Sequence, residues 1–258
     1  MTLALPAPWL EQLARQRDQP PAVPRVPLWA GDARIGSVEP GLLPLLRLAP
    51  GSVRERSDGW EVMGELTPSL GAIAHAMRDA GLAHAWRNEQ LAVADDSGRV
   101  LGTIERAGVR PLGITTSAVH LAGMAPDARH WVQQRSLTKP NDPGLWDTLM
   151  GGMVPAAESL EAALARETWE EAGLHLSQLA DLRHCGRVLT RRPSDKPHGY
   201  VVEWIDCYRC VVPDGVIPRN QDGEVERFEL LQAAEVARKL VAAEFTLEAA
   251  VVLWHVAT

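Results

Sequence analysis

Lysine is almost missing from the 258-residue chain: Lys139, Lys196 and Lys239 are the lysines among 26 basic residues, and arginine supplies the rest. With its high alanine content, that imbalance points to a GC-rich bacterial genome and carries no information about activity. Cysteine is scarce and odd in number, at 3, so no disulfide framework is expected. A chain of this length buries roughly 70–75% of its unfolded surface and needs no such staples. Apolar runs of about 18 residues are lacking, which excludes a transmembrane helix. Basic residues do not predominate either: 26 Lys+Arg against 33 Asp+Glu leave a net charge of −7. That balance argues against non-specific nucleic-acid binding and against a membrane-surface role. An uncharged apolar leader is absent too, because Glu11, Arg15, Arg17 and Asp18 interrupt the start, and a cytoplasmic location is expected. What remains, 46% hydrophobic and 23% charged, is ordinary globular composition.

Turn residues and periodicity divide the chain in two. Residues 6–16 read as a short helix, followed by the proline-rich connector 20–27. Strands are expected at 26–30, 34–38 and 59–63, with a short apolar helix at 41–48. Thr67 before Pro68 suggests a capped helix with the stripe Leu70, Ile73, Ala74, Met77 and Ala80, ended by Gly81. Two short strands, 91–94 and 100–105, close a small α+β unit in which no motif carries chemistry. From about Leu112 the pattern becomes β-rich. Strands are expected at 116–124, 130–136, 145–149, 186–191, 200–212 and 226–230, and helices at 159–172, 233–240 and 247–256. The boundary is placed at 108–116, giving units 1–112 and 113–258.

The informative stretch runs from Gly152 to Gly173. On a helix, Glu167, Glu170 and Glu171 fall within about 100° of one another. Glu167 and Glu171 are like charges at i,i+4, which destabilise an isolated helix. The face carrying Ala162, Ala165, Trp169 and Ala172 suits burial. Arg166 pairs Glu170 at i+4 and reaches toward Glu158, but one guanidinium does not neutralise the cluster. A divalent ion does, and an all-oxygen donor set favours Mg²⁺ or Mn²⁺ over zinc.

The spacing Gly152-x5-Glu158-x7-Arg166-Glu167-x-x-Glu170-Glu171-x-Gly173 resembles the Nudix box, the signature of the Nudix hydrolase superfamily. Seven fixed positions match by chance at below about 10⁻⁶ in a chain this long. Thr168 departs mildly from it, standing where the pattern usually has an aliphatic residue. The resemblance implies an α/β fold, an α/β/α sandwich around a mixed sheet, here preceded by the small α+β unit. It implies hydrolysis of a diphosphate linked to a further moiety. By motif position, Glu167, Glu170 and Glu171 would be metal ligands for Mg²⁺ (or Mn²⁺), with the Gly152 carbonyl as a further ligand. Glu171 and Arg166 would also serve catalysis. Glu158 and Arg166 would orient the helix, and Gly173 would end it. The implied partner is a small-molecule diphosphate; a homodimer stays open.

Family members often carry one more carboxylate after the box, just before a strand. Glu224 is preferred for that role over Glu226, which would share its strand face if the strand had begun. Arg135, Lys139, Arg191 and Arg192 are candidates for phosphate contact, with an ordinary surface role as the alternative, and Trp131, Trp146 and Trp204 for stacking on an aromatic substrate, with core packing as the alternative for each tryptophan. His120 reads as a satisfied strand histidine. Cys207 and Cys210 would face opposite ways on a strand, so they suggest no metal site.

A narrower resemblance rests on Glu105-Arg106, Gly113-Ile114-Thr115, Val119-His120, residues 131–136, Lys139-Pro140, residues 145–147, Gly151-Gly152 and residues 222–226. These are similar to the Nudix subfamily fused to thiamine pyrophosphokinase in some fungi. That likeness implies cleavage of thiamine diphosphate, or oxidised or damaged analogues, to the monophosphate and phosphate. Three alternatives stay open: a pyrophosphatase of ADP-ribose or NADH type, a non-catalytic ligand-binding module, and an isomerase resembling isopentenyl-diphosphate isomerase. The last uses a cysteine before the box, whereas Cys185, Cys207 and Cys210 all follow it.

Overall fold

The computed structural model describes residues 3–84 and 86–257. Its first half builds a small sheet. Strands β1 (Val26–Ala30), β2 (Ala33–Val38), β3 (Val53–Arg56) and β4 (Gly59–Val62) lie in the order β2-β1-β4-β3. Helix α1 (Ala7–Arg17) precedes them and the short α2 (Leu42–Leu45) follows β2. Helix α3 (Leu66–Asp79) buries Leu70, Ile73, Ala74 and Met77 in this unit's core. Two details of the expected helix change. Glu65, not Thr67, occupies the N-cap, because the Thr67 hydroxyl instead accepts the amide of Thr103 on a neighbouring strand. Ala80 lies past the last turn and is exposed. The hairpin β5 (Gln90–Ala94) and β6 (Val100–Glu105) forms a second, two-stranded sheet, and with α4 (Arg106–Val109) it packs on the same core through Leu91, Val93, Ile104 and Val109.

The second half folds around a mixed sheet. Its strands are β7 (Thr116–Met124), β8 (His130–Arg135), β9 (Trp146–Asp147), β10 (Met150–Met153), β11 (Ala180–Pro193), β12 (Tyr200–Val211) and β13 (Val225–Leu231). The path is β11-β12-β7-β8-β13, with β10 on β7 and β9 on β8. Only β7 and β12 run parallel. Alternation along β7 feeds two cores. Ala118 and Ala122 face the core shared with α6 (Ala233–Val241) and α7 (Leu247–Ala257). Val119 and Leu121 face the core shared with α5 (Leu160–Ala172). Helices on both faces of a mixed sheet make the α/β/α sandwich. Cys207 and Cys210 fall in different cores, as their parity requires.

The strand expected at 145–149 is two strands. Between them, Thr148 donates its amide to Asp147 Oδ1 at 2.8 Å and its hydroxyl to the Met150 carbonyl at 2.7 Å. This local turn breaks the ladder. None of β1–β6 enters the large sheet. Helix α1, however, packs on the later unit: Leu13 joins the α7 core, and Trp9 Nε1 donates to the Leu240 carbonyl at 3.1 Å. Arg25 fixes the junction by donating to the carbonyls of Ser37, Pro111 and His198. Among the described residues no helix is long and apolar enough to cross a membrane.

His130, at the start of β8, is 5% exposed, and among the described residues neither ring nitrogen has a hydrogen-bond partner. Burial pulls its pKa down from 6.5 to about 4. The unfolded chain therefore binds the proton first, and stability falls as pH drops from 6.5 toward 4. Between pH 7 and 4.5 this amounts to about 2–3 kcal/mol. Urea unfolding at both pH values should show a drop smaller by about that amount in His130→Phe. Equal drops in the two proteins would refute the assignment.

Candidate active site

Ser159 opens α5 as its N-cap, accepting the amide of Ala162, and Gly173 closes it in the left-handed conformation at φ 63°. The helix buries Ala163, Leu164, Thr168, Glu171 and Ala172. The expected inward face is therefore corrected: Ala162, Ala165 and Trp169 are exposed. The rotation places Thr168 in the core, where its hydroxyl donates to the Leu164 carbonyl at 2.6 Å. A threonine is thus accommodated at an apolar position. The same rotation carries Glu171 inward to 1% exposure.

Glu171 is met there by three donors. Gln133 Nε2 lies at 2.8 Å, the Gly151 amide at 3.0 Å and Lys139 Nζ at 3.2 Å. Burial nonetheless raises its pKa, with Lys139 the main opposing influence. Lys139 also reaches Glu224 Oε2 at 2.7 Å. Burial disfavours the Lys139 charge, but Glu171 and Glu224 outweigh it and raise the pKa. Glu224 is likewise disfavoured by burial and lowered overall by Lys139.

Arg166 gathers the other carboxylates. Its Nε donates to both oxygens of Glu158 at 3.0 and 3.1 Å, and Nη1 donates to Glu167 and Glu170 at 2.9 Å each. One guanidinium thus serves three carboxylates, more than the sequence suggested. Even so, burial and the charge of Glu171 push Glu167 up to about 7. Gly152 is required by this packing, since a Cβ there would stand 2.0 Å from the Glu167 carboxyl carbon.

Of these groups, all but Gln133 and Glu158 line a cavity of about 480 Å³. Glu224 reaches it because the loop before β13 docks on the end of α5: the Arg219 amide caps the Ala172 carbonyl at 2.7 Å, and the Gln221 amide caps that of Glu170 at 3.0 Å. Glu226 is exposed, and a bulge between Val225 and Arg227 breaks the alternation that would have aligned it with Glu224. Arg135 lines the cavity and pairs with Asp147 at 3.2 Å. Four candidates for substrate contact, Trp131, Trp146, Trp204 and Arg191, do not come to the cavity. Trp146 is 4% exposed within the α7 core, covered by Lys239 and Arg227. Arg191 turns to Asp18 beyond α1 at 2.9 Å. Trp131 packs on the α5 core. Arg192, a sequence candidate, lines the cavity; missed from sequence were Gln133, Glu248, which pairs with Arg192 at 2.8 Å, and Arg87, Arg106 and Arg110, which the first unit sends into the cavity wall. Arg106 and Gln133 lay within the quoted resemblance; Arg87 and Arg110 gave no signal.

Among the described residues, no three carboxylate, histidine or cysteine side chains are grouped as ligands of one ion. Glu167 and Glu170 are turned onto Arg166, and Glu171 onto Lys139. The donor chemistry still suits a hard cation: clustered carboxylate oxygens rest against a glycine cradle that a side chain would fill.

The sequence model described as NUDIX domain matches residues 115–250. Nudix hydrolase 20, chloroplastic, of Arabidopsis thaliana is 30% identical over 198 residues, covering 72% of this chain and 52% of that protein. Nudix hydrolase 24, chloroplastic, of the same plant is 32% identical over 173 residues, covering 64% and 47%. An isopentenyl-diphosphate Delta-isomerase of Streptomyces griseus is 30% identical over 157 residues, covering 60% and 77%. The chain spans about half the length of the two plant relatives.

Proposed function

The chain belongs to the NUDIX family, and on that premise we propose that it is a divalent-metal-dependent diphosphohydrolase. One observation carries this reading: Glu167, Glu170 and Glu171 line the same cavity as Glu224. Glu167, Glu170, Glu171 and the Gly152 carbonyl would hold Mg²⁺ or Mn²⁺. Bound there, the ion would neutralise diphosphate oxygens and acidify an attacking water. Glu224 would accept a proton from the attacking water. Arg166 keeps the carboxylates of α5 aimed at the cavity, and Lys139 and Arg135 contact the phosphates. We also infer that the chain divides near residue 112 into a small α+β unit and the Nudix domain. Their largely separate cores support this, with two exchanges: Leu3 and Leu13 pack with the later part, and Ile114 and Met153 pack with the first.

For the organic group, the narrower resemblance favours thiamine diphosphate or an oxidised analogue. The tryptophans considered for stacking line neither the main cavity nor a second one beside it: Trp146 lies in the α7 core and Trp131 packs against the α5 core. Among the described residues, that second cavity has no aspartate or glutamate in its lining. That lining suits an uncharged, oxidised ring better than a thiazolium cation. The isomerase reading is weaker, because no cysteine lines either cavity.

The test is a panel with Mg²⁺ at equal concentration: thiamine diphosphate, its oxidised analogues, ADP-ribose, NADH, dinucleoside polyphosphates and isopentenyl diphosphate. The expected result is monophosphate and phosphate from an oxidised thiamine analogue. ADP-ribose or a dinucleotide turned over with kcat/KM about tenfold above every thiamine compound, a difference of about 1.4 kcal/mol, refutes the thiamine assignment alone. Isomerised isopentenyl diphosphate without hydrolysis of any compound refutes the hydrolase.

A further inference from the structure

Two guanidiniums of the cavity have no role in the chemistry above. Arg87 lies in the loop between α3 and β5, and Arg110 at the end of α4, so both come from outside the matched NUDIX region. The other cations of the main cavity are paired: Arg106 with Glu89, Arg135 with Asp147, Lys139 with Glu171 and Glu224, Arg166 with its three carboxylates, and Arg192 with Glu248. Among the described residues, the side chains of Arg87 and Arg110 make no hydrogen bond or ion pair.

Their position gives them a use. Both line the main cavity and also the second cavity, of about 240 Å³, so they stand where the two meet. The box carboxylates line the first cavity only. The second has apolar walls from Leu82, Val109, Pro111, Met153 and Pro197 and, among the described residues, no acidic one. An unpaired guanidinium is a strong, geometrically selective partner for phosphate oxygens. The meeting point is held by contacts across the units: Arg25 Nη1 on the His198 carbonyl and the Ala156 amide on the Gln90 carbonyl, each at 2.8 Å. Held in this way, the arginines' backbone is positioned before any ligand arrives.

We propose that the first unit completes the substrate site, with Arg87 and Arg110 binding the diphosphate where the cavities meet and the second cavity receiving the organic group. This rests on the diphosphohydrolase reading and assigns the small unit a part in recognition. It divides the work: the NUDIX region supplies the carboxylates, the preceding unit supplies the free positive charge, and both wall the second cavity, with Leu82, Val109 and Pro111 from one and Met153 and Pro197 from the other.

The experiment uses the full chain with Mg²⁺ and methylenediphosphonate, which is not hydrolysed, in calorimetry. The Arg87→Ala/Arg110→Ala double variant should bind it at least tenfold more weakly at unchanged Tm, since neither side chain has a partner to lose. For the best panel substrate its KM should rise at least tenfold with kcat within threefold. The Arg87→Lys/Arg110→Lys variant should recover part of the binding, keeping the charge without the fork. Pro197→Trp, at the exposed rim of the second cavity, should raise KM for that substrate while leaving methylenediphosphonate affinity unchanged. Native affinity and KM in the double alanine variant would overturn the arginine assignment while leaving the hydrolase reading in place. An unchanged KM in Pro197→Trp would overturn the pocket assignment. Arginine-dependent binding in a protein that hydrolyses nothing on the panel would support this site and remove the hydrolase reading.

Discussion

Glu171→Gln is expected to lower turnover by about 10²-fold or more while the protein stays folded. Glu171 is the most buried box carboxylate, and Gly151, Gln133 and Lys139 all converge on it. The substitution keeps the shape and an oxygen to accept the Gly151 amide. It removes the negative charge that metal chemistry requires of an ionised ligand. Its effect on stability has opposing parts. Desolvation of a buried charge and the i,i+4 repulsion from Glu167 are relieved. The ion pair with Lys139 is lost, but Lys139 keeps Glu224 at 2.7 Å. Tm should therefore stay within about 4 °C of wild type, which for a chain of this size corresponds to about 1–2 kcal/mol. Steady-state kinetics at saturating Mg²⁺ with a parallel thermal melt check both parts. Wild-type turnover in the variant, or full wild-type activity in EDTA, would refute the metal-centred reading.

Glu224→Gln should cost about 10²–10⁴-fold in kcat, the usual worth of a positioned general base, whereas Glu226→Gln should stay near wild type. Glu224 lines the cavity, its carboxylate is held by Lys139, and its carbonyl accepts the Ser136 amide at 2.9 Å. Glu226 is exposed beyond a bulge. Despite burial, Lys139 lowers the Glu224 pKa, so the carboxylate is ionised at neutral pH and accepts a proton as a weaker base than a free glutamate. The comparison is made in both single variants at saturating Mg²⁺. If Glu226→Gln is the crippled variant, the base is wrongly assigned.

The box was legible because its chemistry is local. Ser159 and Gly173 bound the helix, and a fixed 3.6-residue turn sets the angles among Glu167, Glu170 and Glu171 wherever the helix lies. Period-2 alternation likewise determined that Cys207 and Cys210 enter different cores. The strand 116–124 and the helices after 230 follow from the same short-range patterns. Spacing does not determine which way a helix is turned against its sheet. Packing against Val119, Leu121 and Met150 set that angle, sending Glu171 and Thr168 inward and Trp169 out. Pairings over long separations were equally hidden. Arg191 meets Asp18 173 residues away, and α1 crosses to the later unit because its apolar side finds the α7 core. Trp146 was removed from the candidate site, and Arg87 and Arg110 were added to it, by contacts between segments that no local pattern records. The sequence by itself determined the box helix and the mutual placement of its carboxylates, since helix geometry is periodic. Only the tertiary structure decided what faces them, because that depends on which distant surfaces bury one another.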